Sequence, residues 1–77
     1  MITETPFPYP MVHTISQNIS NEMREISNQL ADSNDPVERD ELLSKLILLQ
    51  AALSLITLAS LREDRFFLQR AIDLLRS

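Results

Sequence analysis

The sequence predicts an all-α protein built as an antiparallel helical hairpin that follows an extended tail. Two observations predict this fold. One stretch of the chain carries its apolar residues on a single helical face, and a longer stretch contains no glycine and no proline after Pro36. A short polar turn separates the two stretches. Two helices joined by a short turn form an antiparallel pair.

The tail is predicted to be extended over residues 1–13. Pro6, Pro8 and Pro10 fix alternate φ angles and remove backbone donors. The tail has no basic segment followed by an apolar core, so it lacks the pattern of a conventional signal peptide. The remaining residues, 14–77, are predicted to form the hairpin.

The first helix is predicted over residues 15–31. Thr14 and Gln17 have the spacing of a capping box, in which the threonine hydroxyl accepts a hydrogen bond from the amide three residues later. Apolar residues recur at spacings of 3, 4, 4, 3 and 4, which places them on one helical face. They are Val12, Ile15, Ile19, Met23, Ile26 and Leu30.

The turn Asn34-Asp35-Pro36 is the strongest local signal in the chain. Asp35 is suited to capping the next helix, and Pro36 is suited to its first position. The second helix is predicted as one rod over residues 36–75. Between Lys45 and Arg62 it runs for sixteen residues without a charge, and twelve of those sixteen are apolar. A helix that is apolar on most sides needs neighbours on several sides.

Helix lengths limit how much of the second helix the first can cover. The first is roughly 25 Å long and the second roughly 60 Å, so coverage ends near residue 53. The predicted contacts within the chain join Ile15, Ile19, Met23, Ile26 and Leu30 to Leu42, Leu46, Leu49 and Leu53.

Ten large apolar side chains lie beyond residue 53. Their burial would contribute roughly 15–30 kcal/mol before opposing terms. We therefore expect sister copies or a partner to cover this part of the chain. The predicted assembly interface comprises Ile56, Leu58, Leu61, Phe66, Phe67, Leu68, Ile72 and Leu75.

Two other architectures fit parts of the pattern. Ser60 and Glu63 also have capping-box spacing, so the chain could turn there and form a three-helix bundle. No glycine, asparagine or proline near that point would end the preceding helix, which favours the continuous rod. A membrane span is the other alternative, but sixteen uncharged residues fall short of the ~20 that a span needs. Gln50, Ser54 and Thr57 also place a polar strip along it.

The amino-acid composition argues against enzymatic activity. The chain has no cysteine and one histidine, His13, so we expect no catalytic, metal or cofactor site. A formal charge of −4 argues against nucleic acid as a partner. Residues 1–41 carry eight acids and two arginines, whereas residues 42–77 carry five basic residues and three acids. Ends of opposite charge favour head-to-tail contacts between copies.

Four arginines lie near the end of the chain: Arg62, Arg65, Arg70 and Arg76. One interpretation is that they complement the helix dipole and keep the surface charged. The other is that they line one face of an assembled tube.

The polar first helix, the Asn34-Asp35-Pro36 turn and the long last helix together resemble the needle subunits of bacterial type III secretion systems. Leu74-Leu75-Arg76-Ser77 resembles the ending of the related inner-rod subunits. The resemblance covers residues 14–77. It implies a non-enzymatic subunit that polymerises helically into a conduit for unfolded effectors, with the N-terminal tail as an export signal.

The resemblance also implies partners and a location. The partners are copies of the chain, a cytoplasmic chaperone before export and other subunits of the apparatus, with only indirect membrane contact. The location is the envelope-spanning or cell-surface apparatus, after a cytoplasmic stage. The alternative function is a small hairpin chaperone or adaptor that binds an amphipathic partner helix, followed by a single-span membrane protein.

Overall fold

A computed structural model describes residues 6–76, and in that range the chain is all-helical without strands. It contains α1 (Tyr9–Asp32), α2 (Pro36–Arg62) and α3 (Arg65–Arg76). Both α1 and α3 pack on α2, which is the central helix. Short turns make each neighbour antiparallel to α2, so the predicted class is correct but the hairpin carries a third helix.

The first helix begins at Tyr9 rather than at residue 15. Pro10 lies in its first turn, where the missing N–H removes no helical hydrogen bond. Thr14 is inside the helix, and its hydroxyl donates to the carbonyl of Pro10 at 3.0 Å instead of capping. The predicted extended tail is therefore wrong for residues 9–13. Residues 1–5, which form part of the proposed export signal, lie outside the described residues.

The turn between α1 and α2 has the predicted chemistry. The Asp35 carboxylate accepts a hydrogen bond from the amide of Val37 at 3.1 Å, and Pro36 occupies the first position of α2. Arg39 adds a contact that the sequence did not suggest. Its guanidinium donates to the carbonyls of Leu30 at 2.7 Å and Ser33 at 3.0 Å. It thus satisfies carbonyl groups at the end of α1, which have no partner within that helix.

The predicted rod over residues 36–75 is wrong, because the chain turns sharply at Glu63 and Asp64. Glu63 adopts the left-handed conformation, with φ 51° and ψ 41°. The amide of Asp64 donates to the carbonyl of Ala59 at 3.0 Å, which completes a Schellman motif. The Asp64 carboxylate accepts from the amide of Phe66 at 2.8 Å and so caps α3. The alternative break was correct in kind, although the cap is Asp64 rather than Ser60.

The hydrophobic core runs along α2 and receives side chains from both neighbours. Ala52, Ala59 and Ala71 have no exposed area, and small residues of this kind let helices approach closely. Because α3 folds back, it packs along the second half of α2 on a face that α1 leaves open. The buried apolar residues are Phe7, Val12, Ile19, Ile26, Leu42, Leu49, Ala52, Ile56, Ala59, Leu68 and Ala71.

Tyr9 joins the start of α1 to the turn before α3. Its hydroxyl donates to a carboxylate oxygen of Glu63 at 2.8 Å, and its ring lies edge-on to Phe7 with centroids 4.9 Å apart. The hydrogen bond to Glu63 raises the pKa of Tyr9 above its ordinary value of 10.0, with smaller contributions from desolvation and from the carboxylate charge. An ionised phenolate cannot donate this bond and would repel the carboxylate.

We expect the absorbance of Tyr9 to titrate with a midpoint above 10.0 in the folded protein. The folded-state pKa is raised, so this contact stabilises the fold below pH 10 and is lost as the pH rises through that pKa. Tyr9 is the only tyrosine in the sequence, which makes the near-ultraviolet signal unambiguous. The control is the same titration in urea, where the midpoint should return to about 10. Equal midpoints in the two states would contradict the contact.

Candidate helix-docking surface

The residues predicted to pack within the chain all lie at the core. Ile19, Ile26, Leu42 and Leu49 are buried. The other five are partly buried and pack against that core: Ile15, Met23, Leu30, Leu46 and Leu53. The structure thus brings this group together along the interface of α1 and α2, where the apolar stripe of α1 meets α2.

The predicted assembly interface does not form one face. Ile56 and Leu68 are inside the protein's own core, so they are not available to sister copies. Leu58, Phe67, Ile72 and Leu75 are half-buried, while Leu61 and Phe66 are exposed. The reason is the turn at Glu63, which places α3 against α2 and buries residues that a straight rod would have left uncovered.

Three of the four arginines make contacts within the chain. The Arg62 guanidinium carbon lies 6.0 Å from the ring centroid of Phe67, and that of Arg70 lies 5.7 Å from the centroid of Phe66. Such cation–π geometry is weakly stabilising at exposed sites. Arg65 donates to the carbonyl of Pro6 at 2.9 Å and so ties the segment before α1 to the start of α3. Arg76 is exposed at the end of α3.

An exposed row of residues runs along α2 on the side turned away from the core. We call it the α2 seam, and its spacings of 4, 3, 4, 4 and 3 keep it on one helical face. Ile47 is 70% exposed and Leu61 is 80% exposed, which is unusual for large apolar side chains on a central helix. The seam comprises Leu43, Ile47, Gln50, Ser54, Leu58 and Leu61.

The middle of the α2 seam is polar, but a helix packed over it would not leave the hydroxyl groups there without a hydrogen-bond partner. The Ser54 hydroxyl donates to the carbonyl of Gln50 at 3.0 Å, and the Thr57 hydroxyl donates to the carbonyl of Leu53 at 3.0 Å. A helix laid over the seam therefore need not accept hydrogen bonds from these hydroxyls. Small side chains at Ala51 and Ser54 permit close approach at the centre, while larger apolar residues lie towards both ends.

Two open grooves flank the packed helices. One borders the seam between α1 and α2, with a volume of ≈ 530 Å³, and is lined by Met23, Ser27, Leu46, Ile47, Gln50 and Ala51. The other, of ≈ 470 Å³, lies where the end of α3 meets α1 and α2, and it has an apolar floor with Glu22 and Lys45 among its lining residues. The first groove widens the apolar surface that a docking helix could cover.

The same helix is long and apolar enough to cross a membrane by length and composition. Its most apolar 18-residue window has a mean hydropathy of 2.0, and 28% of that window is buried inside the protein. A core helix passes the same test, and α2 has neighbours on two sides. The described residues contain no group of three or more acidic, histidine or cysteine side chains that could hold a metal ion.

Comparison with protein-family models, with curated proteins and with solved structures finds no match for this chain. The α2 seam and the resemblance noted in the sequence are the two features that bear on function.

Proposed function

We propose that this chain is a structural, non-enzymatic subunit that works by packing its helices against copies of itself, in the needle or inner rod of a type III secretion apparatus. The α2 seam is the observation that carries the self-packing. The turn at Asn34-Asp35-Pro36 and the ending Leu74-Leu75-Arg76-Ser77 support the place in a secretion apparatus through the resemblance.

An open-ended polymer needs two different surfaces on each copy. The α2 seam is the first. The second is the end of the molecule where α2 turns into α3, which exposes two aromatic side chains, Tyr9 and Phe66. In the folded chain Asp32, Asp35 and Glu38 lie at the end where α1 turns into α2, and Arg62 and Arg65 lie at the opposite end, which favours contacts in which one copy's end meets the other end of the next. These features support head-to-tail growth.

The proposal includes partners and a location. Before export, an escort protein would cover the α2 seam in the cytoplasm, because an uncovered apolar row promotes premature association. After export, the copies would pack with one another and with other subunits of the apparatus in the cell envelope or at the cell surface. Any membrane contact would be indirect.

Ile47→Asp should abolish assembly while leaving the fold intact. The aspartate would place a charge in the middle of an apolar contact between copies, but position 47 is exposed within a single copy. The measurement is sedimentation over a range of concentrations, followed by electron microscopy of the pelleted material. Wild type is expected to form particles of open-ended length, and Ile47→Asp is expected to remain small.

The matched control is Asn28→Asp, which adds the same charge on the exposed outer face of α1. It should assemble as wild type does. A wild-type chain that stays monomeric at every concentration would overturn the proposal, and so would normal assembly of Ile47→Asp.

A small chaperone or adaptor is the second candidate. The observation that favours it is that Ile56 on α2 and Leu68 on α3 are already buried in the protein's own core, so the seam that remains is one helix wide. A surface of that width suits one amphipathic helix from a partner. Stoichiometry separates the two functions, because an adaptor stops at a small complex of fixed composition. Retention in the membrane after carbonate extraction would instead support a membrane span for α2.

A further inference from the structure

Glu63 is held in a conformation that its side chain disfavours. It is the one residue between 6 and 76 with a positive φ, and the whole sequence contains no glycine. A left-handed conformation is unfavourable for a residue with a Cβ atom, because that atom lies too close to the following carbonyl oxygen. Continuing α2 straight into α3 would remove this cost. The folded-back arrangement is therefore maintained by the burial that α3 gains, not by the local preference of the turn.

The sequence across the turn is compatible with an uninterrupted helix. The heptad spacing continues through it at 3, 4, 3, 4 and 3, with Arg65 as its one charged member and without a proline or glycine to stop it. The residues in this pattern are Leu58, Leu61, Arg65, Leu68, Ile72 and Leu75. The same segment can thus exist as two helices joined by a turn, or as one rod of the kind that the sequence predicts.

The surface of α2 on which α3 packs is complementary to α3, because the two are already in contact within one chain. Leu68 and Ala71 are buried there, and Arg65 reaches the carbonyl of Pro6 at 2.9 Å. If α3 came from a second copy, the same contacts would form between chains. The exchange would lose no packing and would release the strain at Glu63. Two-residue connections that hold a terminal element in place are a recognised route to such exchange.

We infer that Glu63 and Asp64 form a hinge, and that a second copy of this chain exchanges α3 across it. In the resulting dimer, α2 and α3 form one continuous helix, and each α3 packs on α2 of the other copy. The inference does not depend on the proposed secretion function, because it uses only the hinge and the buried face of α3. The α2 seam stays exposed in the exchanged dimer.

Opposing substitutions in the hinge test the inference. Asp64→Ala removes the carboxylate that caps α3 at 2.8 Å and places a strong helix former in the rod, so it favours exchange. Glu63→Gly relieves the left-handed residue and weakens the rod, so it favours the folded-back monomer. We expect Asp64→Ala to lower the dimer dissociation constant at least tenfold, and Glu63→Gly to raise it at least tenfold. Analytical ultracentrifugation measures both.

A distance measurement distinguishes exchange from pairing through the seam. The chain has no cysteine, so Gln50→Cys and Asp73→Cys can carry two spin labels. A straight helix separates these positions by roughly 35 Å, whereas the folded-back form brings them within roughly 15 Å. Diluting labelled chains with unlabelled ones restricts the signal to one chain. We expect the long distance in the dimer of Asp64→Ala and the short distance in Glu63→Gly.

Ile47→Asp separates this inference from the proposed function. Exchange should persist when the seam carries a charge, even though assembly through the seam should stop. A dimer with the short distance would overturn the inference. So would an Asp64→Ala protein that stays monomeric with the helix content of wild type by circular dichroism, or one that stays monomeric because α3 has unfolded.

Discussion

Ile56→Ala should lower the free energy of unfolding by about 2–5 kcal/mol, the range for removing a large aliphatic side chain from a core. Ile56 is 1% exposed, at the place on α2 where the third helix closes over it. α1 also reaches this level, because Tyr9 contacts Glu63 beyond it, but without α3 the side of Ile56 that faces α3 would be in water. The size of the effect therefore reports on whether α3 folds back.

The matched control for Ile56→Ala is Ile47→Ala, the same change nine residues earlier on the same helix. Ile47 is 70% exposed, so its replacement should change stability by less than about 0.5 kcal/mol. Urea unfolding followed by circular dichroism at a concentration where the protein is monomeric measures both. Similar small effects at the two positions would mean that α3 does not cover α2 in the isolated chain.

The parts of the fold that sequence predicts well are those fixed by local chemistry or by a clear period. The stripe of α1, its docking on Leu42 and Leu49, and the cap at Asp35 are of this kind. A one-sided apolar stripe can face only one way, and an Asp-Pro pair between two helical stretches has few conformations. These features need no knowledge of the rest of the chain.

Local signals permitted the break at Glu63 but did not decide it, because the break depends on a balance between distant parts of the chain. The turn carries an unfavourable left-handed residue, and the gain that offsets it is the burial of Leu68 and Ala71 on α2. No glycine, asparagine or proline near Glu63 marks the end of α2 in the sequence. Asp64 was the available signal, as a side chain able to cap a helix beginning at the next residue.

The docking surface was only partly predictable for a related reason. Helix α2 is apolar on nearly all sides, so its pattern does not say which residues face α1, which face α3 and which remain open. Leu61 is exposed and Leu58 is half-buried, whereas Ile56, which the prediction grouped with them, faces inward. Gln50 and Ser54 mark the exposed side of α2. In the sequence they argue against a membrane span, and they also indicate where the seam lies.

Leu68→Asp should detach α3 from the rest of the protein. Leu68 is 4% exposed, and a carboxylate in its place would either lose its solvation or force the helix away from α2. Losing the buried leucine and placing an unpaired charge there together destabilise the docked α3 by several kcal/mol. This exceeds the free energy that the 12-residue helix gains by packing on α2. We expect amide hydrogen exchange in α3 to accelerate at least about a hundredfold.

The contacts of α1 with the first half of α2 should survive the loss of α3, because Leu42 and Ile26 are buried well away from it. Their amides should therefore remain protected while those of α3 do not. Phe66→Asp is the matched control: it introduces the same charge two residues earlier, at a side chain that is 63% exposed, and should leave exchange in α3 nearly unchanged. Equal effects of the two substitutions would show that the buried face of α3 has been assigned to the wrong side. Loss of protection throughout the chain in Leu68→Asp would show that the three helices form one cooperative unit and that the hairpin cannot stand without α3.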